Sequence, residues 1–474
     1  MISLTKKDIV RGLVSLGLES GDKVLMHSSF VALGKVEGGP NTVIDALLEV
    51  LGEDGLLVMP TFSAGSPFNR KNAPTGLGVI PDAFWRLPGV VRSLHPSHSV
   101  AAMGPGAEDL IRDHEKAPTA YGEGTPYCKL AMGGGKVLLL GVDQDRNTTL
   151  HAAEAAAGAP YLKNIEGAYI DDNGDEVKIP IAAMAGPHRD FIGLDKLFRE
   201  KGIMRIGRIG RAACRLMDGE AMLLAAIEAL QKDPAAVLCN NPACWDCVRQ
   251  RGQIKAARLL DECFTLAAVA GDISEDWEDV HRAILGEGIS ALELTAEEYE
   301  RWSSDLTDAG ISISAIRGGL KGNAAAKLAE SLGVPFIVPA SCEEDMAAAA
   351  KLPGRVIVEN TGACSAVYKE AYNRDGMPEF AFNPAQFAAV GEKPFLRVFY
   401  RGTLRKHTVH FYLDDGLFNG TPTLPGQGNG EVKEIISMLR CRGYNGAITL
   451  RARSGGTAGF REAALAFWYL LDNM

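Results

Sequence analysis

The sequence predicts an α/β protein in two parts, a layered α/β domain followed by a (β/α) barrel of the TIM type. Three observations point to it. Residues 1–235 alternate short aliphatic runs with helix-period stretches, and the break KDPAAVLCNNPACWDC, rich in proline, asparagine and cysteine, ends that rhythm. Eight further strand candidates then fill 264–474, most of them separated by helical segments. Strand–helix alternation is the signature of a layered sheet or a closed parallel barrel. At 474 residues the chain exceeds what one hydrophobic core supports. The expected division is a first domain over 1–238, a cysteine-containing linker over 239–263 and a barrel over 264–474.

Each element has its own warrant. MISLTKKDIVRGLVSLGLES reads as an amphipathic helix with Ile9, Leu13 and Leu16 on one face. No apolar run with a cleavage site follows, so it does not read as a signal peptide. DKVLMHSS (22–29), GLLVMPTFS (55–63) and GKVLLLGV (135–142) are strand-like, whereas PNTVIDALLEVL (40–51) and DGEAMLLAAIEALQ (218–231) are helical. In the second part the strand candidates are FTLAAVAGDI (264–273), ISALELT (289–295), ISISAIRGG (311–319) and PFIVPA (335–340). GRVIVENT (354–361), PEFAFNP (378–384), TVHFYLDD (408–415) and NGAITLRA (445–452) complete the set.

Composition removes several function classes. Hydrophobic residues make up 46% and charged residues 23%, as in ordinary globular proteins. A formal net charge of -10 gives the chain no electrostatic reason to seek nucleic acid or acidic lipid. No stretch of about 18 apolar residues is present to span a membrane. Nine cysteines, an odd number scattered over a long chain, fit reduced thiols and a cytoplasmic location.

The stretch DQDRNTTLHAAEAA (143–156) follows a strand and begins a helix. Asn147 is the expected N-cap. His151 and Glu154, three residues apart, share a helix face. A carboxylate on one ring nitrogen fixes the histidine tautomer and leaves the other nitrogen available as a general base. An ordinary capped helix with an incidental histidine has the same local pattern.

The neighbouring motifs weigh on that choice. HSSFVALGKVEGG, MPTFS, RSLHPSHSVAAMG, AYGEGTPYCKL, NTTLHAAE and RIGRIGRAACRL occur in this order over roughly residues 3–240. Together they resemble the aminoglycoside 3-N-acetyltransferase family. The resemblance implies the layered α/β fold of that family and transfer of an acetyl group from acetyl-CoA to a primary amine of an aminoglycoside, amino sugar or related small molecule. It makes His151 the base and Glu154 its support. It also assigns His27, Ser28, Ser29, Thr61, Ser63, His98, Ser99 and Val100 to the acetyl-CoA side. Direct transfer needs no covalent enzyme intermediate. On the acceptor side the sequence is poor in acid: SAGSPFNRKNAPTG has no carboxylate and AGPHRDFIG only Asp190, beside His188 and Arg189. Glu123, Asp143 and Asp190 are the candidate acceptor contacts, with Asp145 as a further carboxylate. This scarcity favours a neutral or anionic acceptor.

Cys239, Cys244 and Cys247, with Cys263 further on, have the composition of a tetrahedral structural zinc site, although reduced thiols at a domain boundary fit the same spacing. Residues 264–474 resemble the xylose-isomerase-like barrels of sugar isomerases and epimerases, through GISALELT, VIVENTG, FNPAQF, VHFYLDD and LPGQGNGEVKEIISMLRCRGYNGAITLRA. That resemblance implies a divalent metal on carboxylates and a histidine. Glu359 and His410 match ligand positions, but Asn383 stands where an aspartate is expected and Arg451 where a glutamate is. A guanidinium there should abolish metal affinity. Arg451 is expected to pair with Glu359, or to join Arg453 in holding an anion. The barrel then serves as a binding or assembly module, with self-association into a homo-oligomer as one use. A barrel-based isomerase and a non-catalytic sugar- or CoA-binding protein are the rival readings.

Overall fold

The computed structural model describes residues 3–63, 65–184 and 189–474. The chain forms two compact units, Met1–Cys247 and Val248–Met474. The division falls within the stretch expected as a linker, which is itself largely the helix Trp245–Ala257.

In the first unit the strands are β1 (Lys23–Ser28), β2 (Leu56–Pro60), β3 (Val91–Arg92), β4 (Val100–Met103) and β5 (Lys136–Leu140). They are followed by β6 (Lys163–Ile170), β7 (Glu176–Met184), β8 (Met204–Ile209) and β9 (Ala212–Asp218). Seven of them make one sheet in the order β3-β4-β2-β1-β5-β9-β8. β1, β2 and β5 run parallel at its centre, and β4 and β9 join antiparallel on either side. The central strands are aliphatic throughout because both faces are covered. Val24 and Met26 of β1 point into one core with Ile9, Leu13 and Leu47, and Leu25 points into the other with Leu130, Leu150 and Leu223. β6 and β7 form a separate two-stranded ribbon.

This topology positions the site. Parallel pairing matches His27 with Leu139 and Ser28 with Leu140, so both strands end at the same edge. An α/β sheet opens its crevice at the carboxyl ends of its parallel strands. Gly141 turns the chain there with φ +71°, and a Cβ on it would lie 2.6 Å from the Ala32 Cβ.

The second unit contains β10 (Thr265–Val269), β11 (Ala291–Thr295), β12 (Ser312–Arg317), β13 (Phe336–Ala340) and β14 (Val356–Asn360). Then come β15 (Glu379–Phe382), β16 (Thr408–Leu413), β17 (Asp415–Gly416), β18 (Pro422–Thr423) and β19 (Ala447–Leu450). Eight of these, β10 to β16 and β19, close into a parallel barrel. Each lies inside one of the eight expected strand segments. Val269, Ala315, Ile337, Ile357, Ala381 and Tyr412 fill the interior. Among the described residues no helix is long and apolar enough to cross a membrane.

Gly141→Val adds a branched side chain where the backbone is left-handed and the space is filled. It should destabilise the first unit by about 2 kcal/mol or more, read as a lowered midpoint in denaturant unfolding.

Candidate active site

The helix Leu150–Ala156 has Thr149 at its N-cap position, two residues later than the cap expected at Asn147. The chain is already turning in a 3-10 helix at Gln144–Arg146. The carbonyls of Asn147, Thr148 and Thr149 therefore accept from the N–H groups of Leu150, His151 and Ala152. The Asn147 side chain caps nothing: its Oδ1 is buried without a hydrogen bond, and its Nδ2 donates to Gln144 Oε1 at 3.0 Å. Leu150 and Ala153 sit in the core, which fixes the rotation of the helix about its axis.

On this helix His151 Nδ1 lies 2.6 Å from Glu154 Oε2. Glu154 is fully buried. Its other oxygen accepts from Tyr161 Oη at 3.0 Å and from Arg189 Nε. The Arg189 guanidinium also stacks 4.8 Å from the centre of the Tyr161 ring. Burial pushes the Glu154 carboxyl pKa up, but the His151 hydrogen bond and charge, with Arg189, outweigh it and hold the pKa below the ordinary value. An ionised carboxylate only accepts, so Nδ1 of His151 is the donor and, in the neutral ring, Nε2 keeps its lone pair. Tyr121 and Phe191 flank the imidazole with ring centres 5.1 and 4.9 Å away.

His151 forms one wall of a cleft of about 860 Å³. His27, Ser28 and Ser29 line it from the end of β1, and Asp143, Asp145 and Arg146 from the turn after β5. Burial, followed by the charge of His151, lowers the pKa of His27 to about 3. His27 is thus a neutral wall residue, and His151 is the base candidate on the cleft.

Family membership follows from sequence comparison. The family model described as aminoglycoside 3-N-acetyltransferase matches residues 25–231. Aminoglycoside N(3)-acetyltransferase IV of Salmonella sp is 35% identical over 255 residues, which cover 51% of this chain and 97% of that protein. The chain belongs to the aminoglycoside 3-N-acetyltransferase family. Its first unit is accordingly an acetyl-CoA-dependent N-acetyltransferase. The acetyltransferase-like protein YokD of Bacillus subtilis is 34% identical and covers 45% of this chain and 87% of its own length. The apoenzyme crystal structure of aminoglycoside acetyltransferase AAC(3)-IVa superposes with a TM-score of 0.50 at 34% identity, covering 53% of this chain and 99% of that one.

Within this acetyltransferase unit several expected contacts move. Thr61 and Ser99 do not line the cleft; their hydroxyls lie 3.2 Å apart in the protein interior. Arg92 donates to Thr61 Oγ1 at 3.1 Å and to the Thr61 carbonyl at 2.6 Å, so Thr61 serves a buried arginine, while Ser99 donates to the same carbonyl at 2.9 Å. Val100 is a fully buried β4 residue packed in the core. Ser63 accepts from the Gly65 N–H at 3.4 Å and is absent from the cleft wall. His98 stands behind the cleft between Phe62 and Tyr121, at ring distances of 4.5 and 5.5 Å. Glu123 is exposed away from the cleft, and Asp190 is half-buried outside it. Asp143 does line it. His188 lies outside the described residues. Arg189, grouped with the acceptor loop in the sequence, turns inward to Glu154. Nothing in local spacing reveals this, because 35 residues separate the two.

The sulfurs of Cys239, Cys244 and Cys247 lie within 4.8 Å of one another. Cys263 is exposed and is not one of this group. Burial raises the Cys244 thiol pKa, but the N–H of Cys247 and the neighbouring thiols outweigh it and lower it overall, whereas burial pushes Cys247 up to about 12.

At the barrel mouth Arg451 donates to Asp272 at 2.7 and 3.2 Å rather than to Glu359. Arg453 pairs with Asp414, so the two arginines do not form a free anion site. Asn383 donates to Glu359 at 2.8 Å and to Asp414 at 3.0 Å. Among the described residues, the cysteine trio is the one convergent group of three potential metal ligands.

Four histidines of the first unit are held neutral, chiefly by burial: His27, His95, His98 and His114, with pKa values near 3, 2, 3 and 3. His114 Nδ1 is 2.9 Å from Ser93 Oγ, and its ring stacks on His95 at 4.6 Å. Unfolded histidine titrates near 6.5. The stability that comes from keeping these rings neutral is complete above pH 6.5 and is lost as pH falls toward 3, by up to about 1.4 kcal/mol per pH unit for each ring. Unfolding midpoints should therefore drop below pH 6.5, and His114→Gln should make that drop shallower.

Proposed function

We propose that the first unit transfers the acetyl group of acetyl-CoA directly to a primary amine of an aminoglycoside or related amino sugar, with His151 as general base. The observation that carries this reading is the buried chain Arg189–Glu154–His151 opening onto the cleft. Acetyl-CoA supplies an activated thioester carbonyl. The Nε2 of His151 takes the proton that the amine loses as its nitrogen bonds to that carbonyl and the carbon–sulfur bond breaks. Glu154 keeps the imidazole in the Nδ1–H form and stabilises the cation that results. Arg146, Ser28 and Ser29 offer a charge and hydroxyls to the cosubstrate's phosphate and pantetheine arms.

An aminoglycoside acceptor is supported by the relatives, which carry that specificity in their names at 30–37% identity. Asp143 and Asp145, on the cleft edge, are the carboxylates that meet a polycation. They reduce the force of the acid-poor loops as an argument for a neutral acceptor.

The test is thiol release from acetyl-CoA with gentamicin, apramycin, simple amino sugars and monoamines as acceptors. Turnover is expected with at least one aminoglycoside. His151→Ala should lower kcat/KM by about 10²–10⁴-fold while the protein stays folded. An unaffected His151→Ala enzyme would remove the base assignment; no turnover with any acceptor would remove the acceptor class.

In the same unit Cys239, Cys244 and Cys247 supply three ligands to a structural zinc. Sulfurs around tetrahedral zinc stand about 3.8 Å apart, inside the 4.8 Å that bounds this trio. Protein purified without chelator should contain one zinc per chain and melt at lower temperature once the metal is stripped, and Cys244→Ser should reproduce both losses. A zinc content near zero would contradict the site.

A further inference from the structure

The barrel mouth carries a cation of its own. Glu293 of β11 and Glu359 of β14 reach into it, both buried. Arg317, the last residue of β12, lies between them, with Nε 3.5 Å from Glu293 Oε1 and Nη2 3.7 Å from Glu359 Oε2. These are ion-pair distances rather than hydrogen bonds. His410 Nε2 stands 3.3 Å from the second oxygen of Glu293, and neither of these buried atoms forms a hydrogen bond.

Two buried carboxylates and an imidazole are a hard-metal ligand set. Two such carboxylates cannot both stay ionised in one buried mouth without a positive charge beside them. The other arginines of the mouth are committed elsewhere, Arg451 to Asp272 and Arg453 to Asp414. Tyr412 Oη donates to Glu293 Oε1 at 2.7 Å and Asn383 to Glu359 Oε1 at 2.8 Å, which satisfies one oxygen of each carboxylate. The remaining oxygens face Arg317 and His410.

We infer that the Arg317 guanidinium takes the place of a divalent cation at the barrel mouth, neutralising Glu293 and Glu359 and thereby excluding metal. The replacement comes from the third strand of the barrel and not from Arg451, the position that the isomerase resemblance marks. The barrel is then metal-free because of one side chain; the ligand atoms of Glu293, Glu359 and His410 do not converge while Arg317 is in place, and would close on a cation only once its guanidinium is removed.

The test uses the full chain and Mn²⁺, a harder ion than those the cysteine trio selects. Wild-type protein should show no tight Mn²⁺ binding by calorimetry or by Mn²⁺ electron paramagnetic resonance. Arg317→Met, which keeps bulk without charge, should bind one Mn²⁺ at least about 100-fold more tightly. Its melting temperature should rise with added Mn²⁺. Arg317→Lys, which keeps the charge, should behave as wild type, and Arg317→Met combined with Glu359→Gln should lose the binding again. If Arg317→Met fails to fold without metal, adding Glu293→Gln and Glu359→Gln to it should restore folding. Three results overturn the inference: wild-type binding as tight as that of Arg317→Met; a folded Arg317→Met with no gain in binding; or a neutralised triple variant that stays unfolded.

Discussion

The first unit depends on one buried carboxylate. Glu154 has no contact with bulk water, and a lone ionised carboxyl in that setting would take up a proton. His151, through its hydrogen bond and charge, and then Arg189 prevent this, while the Tyr161 hydroxyl donates to the same oxygen as Arg189. The consequence reaches the cleft, because an ionised Glu154 can only accept. The neutral His151 ring therefore carries its proton on Nδ1, with Nε2 free of one. The rest of the unit serves this arrangement: parallel β1 and β5 end together, Gly141 turns the chain, and Leu150 and Ala153 set the helix rotation. The surrounding His27, His95, His98 and His114 are held neutral by burial and add no charge beside His151.

How much of this the sequence carried depends on the kind of signal. The eight barrel strands are legible because a strand buried on both faces must be an aliphatic run. β1, β2 and β5 are legible for the same reason. The antiparallel edges of the sheet, β3 and β8, and the ribbon of β6 and β7 carry no such run, and pairing rather than composition makes them strands. His151 and Glu154 are visible because helix spacing joins them. Thr61 and Ser99 stand in the interior, which the sequence does not reveal, since a polar strand end reads the same whether it faces a cleft or buried polar partners, and Val100 beside them is a core residue. Arg189 and Tyr161 are invisible locally because the ribbon β6–β7 lies between them in the chain.

The second unit shows a related principle with the opposite outcome. A barrel mouth gathers polar side chains from eight strands, so its charge must balance across residues far apart in sequence. Motif position identified Glu359 and His410 but placed the compensating charge on Arg451, which is paired with Asp272. Position along a strand fixes which residues reach the mouth. Only three-dimensional pairing decides which carboxylate each arginine neutralises. Both units thus hold buried glutamates beside an arginine, Glu154 with Arg189 in the first and Glu293 and Glu359 with Arg317 in the second.

The account's central claim is the protonation state of the His151–Glu154 pair, and nitrogen-15 NMR of histidine-labelled protein reads it most directly. At neutral pH the His151 ring should show a protonated Nδ1 and an unprotonated Nε2. Its Nδ1 proton should be shifted far downfield by the 2.6 Å bond to Glu154, and that signal should vanish in Glu154→Gln. A His151 ring found protonated on Nε2, with a bare Nδ1, would contradict the account, because Glu154 would then have to be the donor and could not hold the ring as a base.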